Sequence, residues 1–145
     1  MTLKKLFSFL PVFLFLSCIN SEDDCSVLCP QLGVLAFDVR LDGDNVFENG
    51  IYSLNDLTIN DANTVVSLES ISSPILLIQD PDWGSSEHFY TISLGDNDSF
   101  TVNPSFELSE RSECCAPTPL LSSIVVNSEE VALSDAIGKV IIVNL

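Results

Sequence analysis

The feature that most constrains the fold of this chain is a series of short apolar segments that begins after Pro30. These segments are separated by turn-forming residues at intervals of about 8 to 12 positions, a spacing typical of all-β domains. In the first segment, Leu35–Leu41, the odd positions are apolar and the even positions include Asp38 and Arg40. Because successive side chains of a strand point to opposite faces, we expect the odd positions to be buried and the even positions to face water.

Further strand candidates follow at similar spacing, and the segments between them are rich in Asp, Asn, Gly and Pro. The candidates are Tyr52 and residues 57–59, 65–68, 75–78, 89–94, 100–102, 106–108, 124–126, 131–133 and 140–143. The segment 75–78 is apolar at every position, so we place it at the centre of a sheet. No segment has a sustained apolar period of 3.6, although residues 131–137 also fit a short helical turn.

About seven to nine short strands within residues 31–145 predict an all-β domain. We expect a single antiparallel β-sandwich, immunoglobulin-like or transthyretin-like in general shape. A small open β-barrel is the alternative. The chain has 145 residues, which is enough for one domain, and no linker divides residues 31–145.

The first 17 residues have the three-part pattern of a secretory signal peptide. Lys4 and Lys5 supply a positive start, residues 6–16 are mostly apolar, and small Ser17 ends the segment. An apolar stretch of about 11 residues is shorter than the roughly 20 that a membrane-spanning helix needs. We therefore expect residues 1–17 to be removed after export.

The residues that precede Cys18 form a second recognisable pattern. In the stretch Phe15-Leu16-Ser17-Cys18, an apolar residue and a small residue stand before the cysteine. This stretch resembles the lipobox of bacterial lipoproteins. The resemblance implies a diacylglyceryl group on Cys18 and attachment of the mature chain to a membrane through that lipid.

Residues 19–24 form a polar run that ends in three carboxylates. The run is similar to the acidic export tag that follows the lipidated cysteine in surface lipoproteins of Bacteroidota. We therefore predict that residues 18–30 are a lipidated acidic tether. The expected location is the outer membrane, lipid-anchored at the cell surface, and a periplasm-facing anchor is the alternative.

Short features of the remaining chain also resemble small uncharacterised surface lipoproteins of Bacteroidota. They are the spaced pair Cys25 and Cys29, the stretch 50–54, the adjacent pair Cys114-Cys115 and the hairpin-like sequence 126–131. These features are short and non-catalytic. The resemblance therefore implies no activity.

Four cysteines remain besides Cys18, namely Cys25 and Cys29 before the first strand and Cys114 and Cys115 near the end. An even number of cysteines in an exported chain favours disulfide bonds. A bond between adjacent cysteines needs a strained ring, so pairing between the two clusters is the easier arrangement. Each such bond would close a loop of about 85 residues and stabilise the domain by roughly 4 kcal/mol. A metal site and redox-active thiols are the alternatives, but two Cys-x-x-Cys arms are lacking.

Without residues 1–17 the chain keeps three basic residues, Arg40, Arg111 and Lys139, against 21 acidic ones, a net charge of about −18. A charge of this sign and size repels nucleic acid and anionic lipid head groups. We expect neither as a partner, so contact with a membrane is predicted only through the lipid anchor. The same acidity also keeps exported proteins soluble, so it does not by itself indicate a ligand.

Residues that carry catalysis are sparse. The single histidine is His88, and no Gly-x-Ser-x-Gly turn is present to hold an activated serine. We predict no enzymatic activity, no cofactor and no catalytic residues. The oxygen-rich turns 42–45 and 96–98 make a calcium site an alternative, but neither completes an EF-hand loop and both suit hairpin turns. No metal site is therefore predicted.

Trp83 is the only tryptophan, and it stands in the polar stretch 80–86. Exposed there, its ring could contact a ligand by stacking on a sugar or by anchoring a protein. In the alternative interpretation, the ring folds back and caps one end of the sandwich.

These observations together predict a non-catalytic binding or accessory module of the cell envelope. A glycan and an envelope protein are the candidate partners. The alternatives are a structural envelope lipoprotein without a small ligand and a calcium-binding module.

Overall fold

The computed structural model describes residues 33–70, 73–84 and 86–145. The predicted signal peptide and tether, with Cys18, Cys25 and Cys29, lie outside the described residues. Within the described residues the regular elements are almost all β-strands, and no helix there is long and apolar enough to cross a membrane.

The regular elements follow one another closely along the chain. The strands are β1 (Leu35–Leu41), β2 (Asp44–Asn45), β3 (Leu57–Ile59), β4 (Val65–Ser70), β5 (Pro74–Gln79), β6 (Tyr90–Leu94), β7 (Asp98–Leu108), β8 (Pro119–Val126), β9 (Glu129–Glu130) and β10 (Val140–Asn144). A turn of 3₁₀ helix spans Leu54–Asp56, and the short helix α1 spans Leu133–Ala136.

The strands form two sheets of five. The first has the order β10-β1-β5-β4, with β2 paired to β1, and the second has the order β3-β6-β7-β8-β9. Neighbouring strands are antiparallel except for β1 and β10, which are parallel and place Phe37 beside Ile141. The rings of Phe37 and Phe100, one from each sheet, lie 5.8 Å apart in a shared core. The predicted β-sandwich is therefore confirmed.

The alternation predicted for β1 is present in the structure. Leu35, Phe37 and Val39 are buried, whereas Asp38 and Arg40 are partly exposed and form an ion pair of 2.6 Å between Arg40 Nη2 and Asp38 Oδ2. The apolar segment 75–78 also has the predicted position, because β5 lies between β1 and β4.

The strand β7 is longer than the sequence predicts. Residues 100–102 and 106–108 are two candidates in the sequence, but they belong to one strand that runs through Pro104. The Pro104 carbonyl accepts a hydrogen bond of 2.9 Å from His88 N. An N–H at position 104, which proline lacks, would point toward the same short segment 86–88. That side of β7 is only sparsely paired, and a proline is tolerated in a strand where no ladder donor is required.

The chain ends with a crossing from one sheet to the other. β8 and β9 are joined by a two-residue turn in which Asn127 and Ser128 have φ of 48° and 69°. The helix α1 follows, in agreement with the alternative prediction of a helical turn within residues 131–137. The crossing then brings β10 beside β1, the first strand of the opposite sheet.

Candidate functional site

A buried carboxylate lies where β5 ends. Asp80 is the first residue after β5 and is only 1% exposed. Its Oδ2 accepts a hydrogen bond of 2.6 Å from Tyr90 Oη, and its Oδ1 accepts one of 2.7 Å from the backbone of Asp82. A buried charge is costly unless it is hydrogen-bonded. These two donors therefore hold the carboxylate in a single orientation.

Tyr90 connects this carboxylate to the aromatic core. Its hydroxyl accepts a hydrogen bond of 2.8 Å from Trp83 Nε1 while it donates to Asp80. Burial raises the pKa of Tyr90 above its ordinary value because it disfavours the charged phenolate, and the hydrogen bond to Asp80 raises it further because it needs the phenol proton. The phenol is therefore held in its protonated, donating form.

His88 lies between this buried carboxylate and an exposed serine. Its Nδ1 is 3.8 Å from Asp80 Oδ2, and its Nε2 is 2.9 Å from Ser86 Oγ. The imidazole stacks on the Tyr90 ring at 6.0 Å and meets the edge of Phe106 at 5.9 Å. The fold therefore orders a carboxylate, an imidazole and a hydroxyl in sequence from the core to the surface.

This grouping is not predicted by the sequence, in which His88 stands as an isolated histidine. The signal available was the short spacing of Asp80, Ser86 and His88 within nine positions. Spacing alone does not bring three side chains together in a loop. The hydrogen bonds His88 N to Pro104 O and Phe106 N to Ser86 O do so, because they fix the segment 86–88 against β7.

Trp83 is buried, with 4% of its surface exposed. Its ring stacks on Phe106 at a centroid distance of 4.6 Å. Trp83 therefore has the end-capping position of the alternative interpretation, and its ring does not project into solvent as stacking on a sugar would require. A ligand contact at Trp83 stays a prediction.

An apolar groove opens at this end of the sandwich, and we call it the end groove. It has a volume of about 480 Å³ and lies among the start of β1, the start of β8, and helix α1 with the turn that follows it. Trp83 and Phe106 form its inner wall, and Val34, Leu120 and Ile137 are exposed among its lining residues. The groove therefore brings together parts of both sheets.

The adjacent cysteines Cys114 and Cys115 lie in the loop between β7 and β8. The base of this loop is closed by a hydrogen bond of 2.8 Å from Ser109 N to Thr118 O. Because Cys25 and Cys29 lie outside the described residues, the predicted pairing between the two clusters stays a prediction.

The oxygen-rich turns have structural partners. Asn45 Nδ2 donates to Asp38 Oδ1 at 2.7 Å, and Asn45 Oδ1 accepts from the backbone of Phe47 at 2.9 Å. In the other turn, Asp98 accepts a hydrogen bond from the Tyr52 hydroxyl. Among residues 33–70, 73–84 and 86–145, no group of three or more His, Cys, Asp or Glu residues is arranged to hold a metal ion.

Comparisons of the chain with known protein families, with curated proteins and with solved structures found no match.

Proposed function

We propose that this chain is a lipoprotein anchored in the outer membrane through Cys18, at the cell surface, and that its β-sandwich is a binding or accessory module of the envelope. The end groove is its recognition surface. The lipobox-like stretch before Cys18 supports the anchor, and the exposed apolar rim of the groove supports the binding role.

The rim of the groove is the observation that carries this proposal. Val34, Leu120 and Ile137 are 46%, 43% and 60% exposed, and all three line the same groove. A cluster of exposed apolar side chains around a concave surface is a common property of interaction sites. Covering these side chains with a partner would remove apolar surface from water, and this burial drives association.

The chemistry of the groove favours an apolar segment of an envelope protein over a glycan. A sugar needs an exposed ring face and several hydrogen-bonding groups, whereas the Trp83 face is stacked on Phe106 and the named lining side chains are apolar. The chain carries a net charge of about −18 once residues 1–17 are removed. Basic residues beside the apolar segment of the partner would therefore increase the rate of association.

The position of the groove agrees with attachment to a membrane. Gly33 lines the groove and lies three positions after residue 30, where the predicted tether ends. The 14 residues between Cys18 and Gly33 span at most about 50 Å when fully extended. The groove is therefore proposed to lie at the tethered end of the domain, within reach of proteins in the same membrane.

The fluorescence of Trp83 provides a direct test, because it is the only tryptophan and it lines the groove. The titrant is a tryptophan-free synthetic peptide with a leucine-rich centre flanked by lysines. We expect a saturable change in Trp83 emission. The double variant Leu120→Ser/Ile137→Ser should weaken binding by about tenfold or more, because two apolar contacts are lost.

The control variant is Ile142→Ser, which changes an isoleucine of similar exposure on β10 that does not line the groove. This variant should bind the peptide like the unchanged protein. A second peptide with glutamates in place of the lysines should bind more weakly at low salt. The proposal is overturned if emission does not saturate, or if Ile142→Ser and the double variant weaken binding equally. Such a result would leave a structural lipoprotein without a ligand at this site.

A further inference from the structure

We propose that Ser86 is a nucleophile activated by His88 and Asp80, and that it attacks the carbonyl carbon of a carboxylic ester. This inference goes beyond the binding function proposed above, which assigns no covalent chemistry to the domain. It rests on the order in which the three side chains follow one another from the surface inward.

The geometry has the features of an activated serine. Ser86 is exposed, and its Oγ is 2.9 Å from His88 Nε2, within hydrogen-bond reach. On the far side of the ring, His88 Nδ1 faces Asp80 Oδ2 at 3.8 Å. A nucleophile, a base and a group that orients the base form the recurring arrangement of nucleophilic catalysis. The 3.8 Å between Nδ1 and Oδ2 is longer than a hydrogen bond, and catalytic contacts are often long in the absence of substrate.

The base is held in place before any substrate arrives. The His88 side chain is 16% exposed, and it lies parallel to the Tyr90 ring, with an interplanar angle of 10°, and nearly perpendicular to that of Phe106, at 76°. Asp80 is itself fixed by hydrogen bonds from Tyr90 Oη and Asp82 N. Asp80 is therefore a positioning residue that favours the tautomer with a proton on His88 Nδ1. In that tautomer, Nε2 accepts the proton of Ser86.

A backbone donor stands next to the nucleophile. Glu87 is paired with Ser105 between the hydrogen bonds His88 N to Pro104 O and Phe106 N to Ser86 O. In such an antiparallel pair, the N–H of Glu87 points away from β7. The N–H of the residue after a nucleophilic serine is a recurring donor to the oxyanion that forms during acyl transfer.

The register also indicates the class of substrate. The pairing of Glu87 with Ser105 places Ser86 opposite Phe106, so their side chains lie on the same face. Phe106 forms part of the wall of the end groove. We therefore assign to Ser86 an ester with an apolar acyl group directed toward the end groove, whose lining includes Phe106 but not Ser86 or His88. The placement of a long acyl chain in the groove rests on the proposed function, but acylation by a short ester does not.

The reaction balances with the groups on the protein and water. The O–H bond of Ser86 breaks, its proton passes to His88 Nε2, and Oγ forms a bond to the ester carbonyl carbon. The carbonyl electron pair moves to oxygen and then returns, which breaks the bond to the alkoxide leaving group, and His88 returns the proton to that group. The product is an acyl ester on Ser86. Water repeats the same steps and releases the carboxylic acid.

The test uses the full chain and two reagents. A fluorophosphonate probe should add to the peptide that contains Ser86, as detected by intact mass and peptide mapping. With p-nitrophenyl acetate, the acylation rate should fall about 100-fold or more in Ser86→Ala and in His88→Gln, since general-base assistance contributes at least this much. The matched control is Ser99→Ala, an exposed serine on β7, which should react at the unchanged rate.

Asp80 is tested through the tautomer of His88. The ¹⁵N chemical shifts of the imidazole should place its proton on Nδ1 in the unchanged protein, and Asp80→Asn should lose this preference while circular dichroism shows that the variant is folded. Acylation that is unaffected by Ser86→Ala, or no probe adduct on Ser86, overturns the inference. Peptide binding and acylation by p-nitrophenyl acetate are measured separately on the unchanged protein, and this reagent is too short to need the groove. Failure of peptide binding with intact acylation would therefore remove only the groove proposal.

Discussion

Tyr90 connects the aromatic core to the one carboxylate that is buried in the described part of the chain. Its hydroxyl donates to Asp80 Oδ2 at 2.6 Å and accepts from Trp83 Nε1 at 2.8 Å. Removing this oxygen leaves Trp83 without its acceptor and Asp80 without one of its donors. A buried polar group that loses its partner costs about 1 to 3 kcal/mol.

We therefore expect Tyr90→Phe to lower the free energy of unfolding by about 2 kcal/mol at neutral pH, measured by urea denaturation. The folded-state pKa of Tyr90 is raised, so its contribution is fully present below the unfolded value of about 10 and is lost as the pH rises through the folded-state value. The difference between the protein and the variant should therefore shrink in alkaline solution. Tyr52→Phe, at a more exposed position, is the control and should cost less. A Tyr90→Phe variant as stable as the unchanged protein would contradict this account of the Asp80 site.

Strand β10 has one buried face and one exposed face. It closes the first sheet beside β1, and Ile141 is 5% exposed whereas its neighbour Ile142 is 56% exposed. The two residues are both isoleucines on one strand. They differ only in the direction in which their side chains point.

Ile141→Ala should therefore destabilise the domain by about 3 kcal/mol, because it removes buried apolar surface and leaves a cavity. Ile142→Ala should change the free energy of unfolding by roughly 0.5 kcal/mol or less. Thermal or urea unfolding of the two variants measures the difference. Equal effects would mean that the register of β10 against β1 is wrong.

The elements also show how far a local pattern can predict the fold. The alternation within β1 predicts its buried face, because a period of two depends only on the strand itself. The continuity of β7 through Pro104 is not predicted. Whether a proline is tolerated depends on which neighbour its missing N–H would face, and that neighbour is the segment 86–88.

In the whole molecule, the net charge and the predicted lipid have opposite effects on membrane attachment. A net charge of about −18 without residues 1–17 opposes contact with anionic membranes. The proposed attachment therefore depends on the lipid at Cys18, and surfaces of the domain are not expected to replace it.

Cys18→Ala should move the protein from the membrane fraction to the soluble fraction, and intact-mass analysis should show the loss of a lipid adduct. The control is Ser99→Ala, which should stay in the membrane fraction. A chain whose Cys18 carries no lipid would remove the proposed anchor.

Peptide mapping with and without reduction, done on the same material, should link Cys25 and Cys29 to Cys114 and Cys115.

The all-β class and the buried face of the first strand follow from the sequence, because alternation and turn-forming residues act locally. The tertiary structure alone decided that Asp80, Ser86 and His88 meet, and that Trp83 is buried against Phe106. These groupings depend on the pairing of residues 86–88 with β7 and on the packing of two sheets. Such long-range contacts have no local signal in the sequence, because their partners Pro104 and Phe106 lie far along the chain from His88 and Ser86.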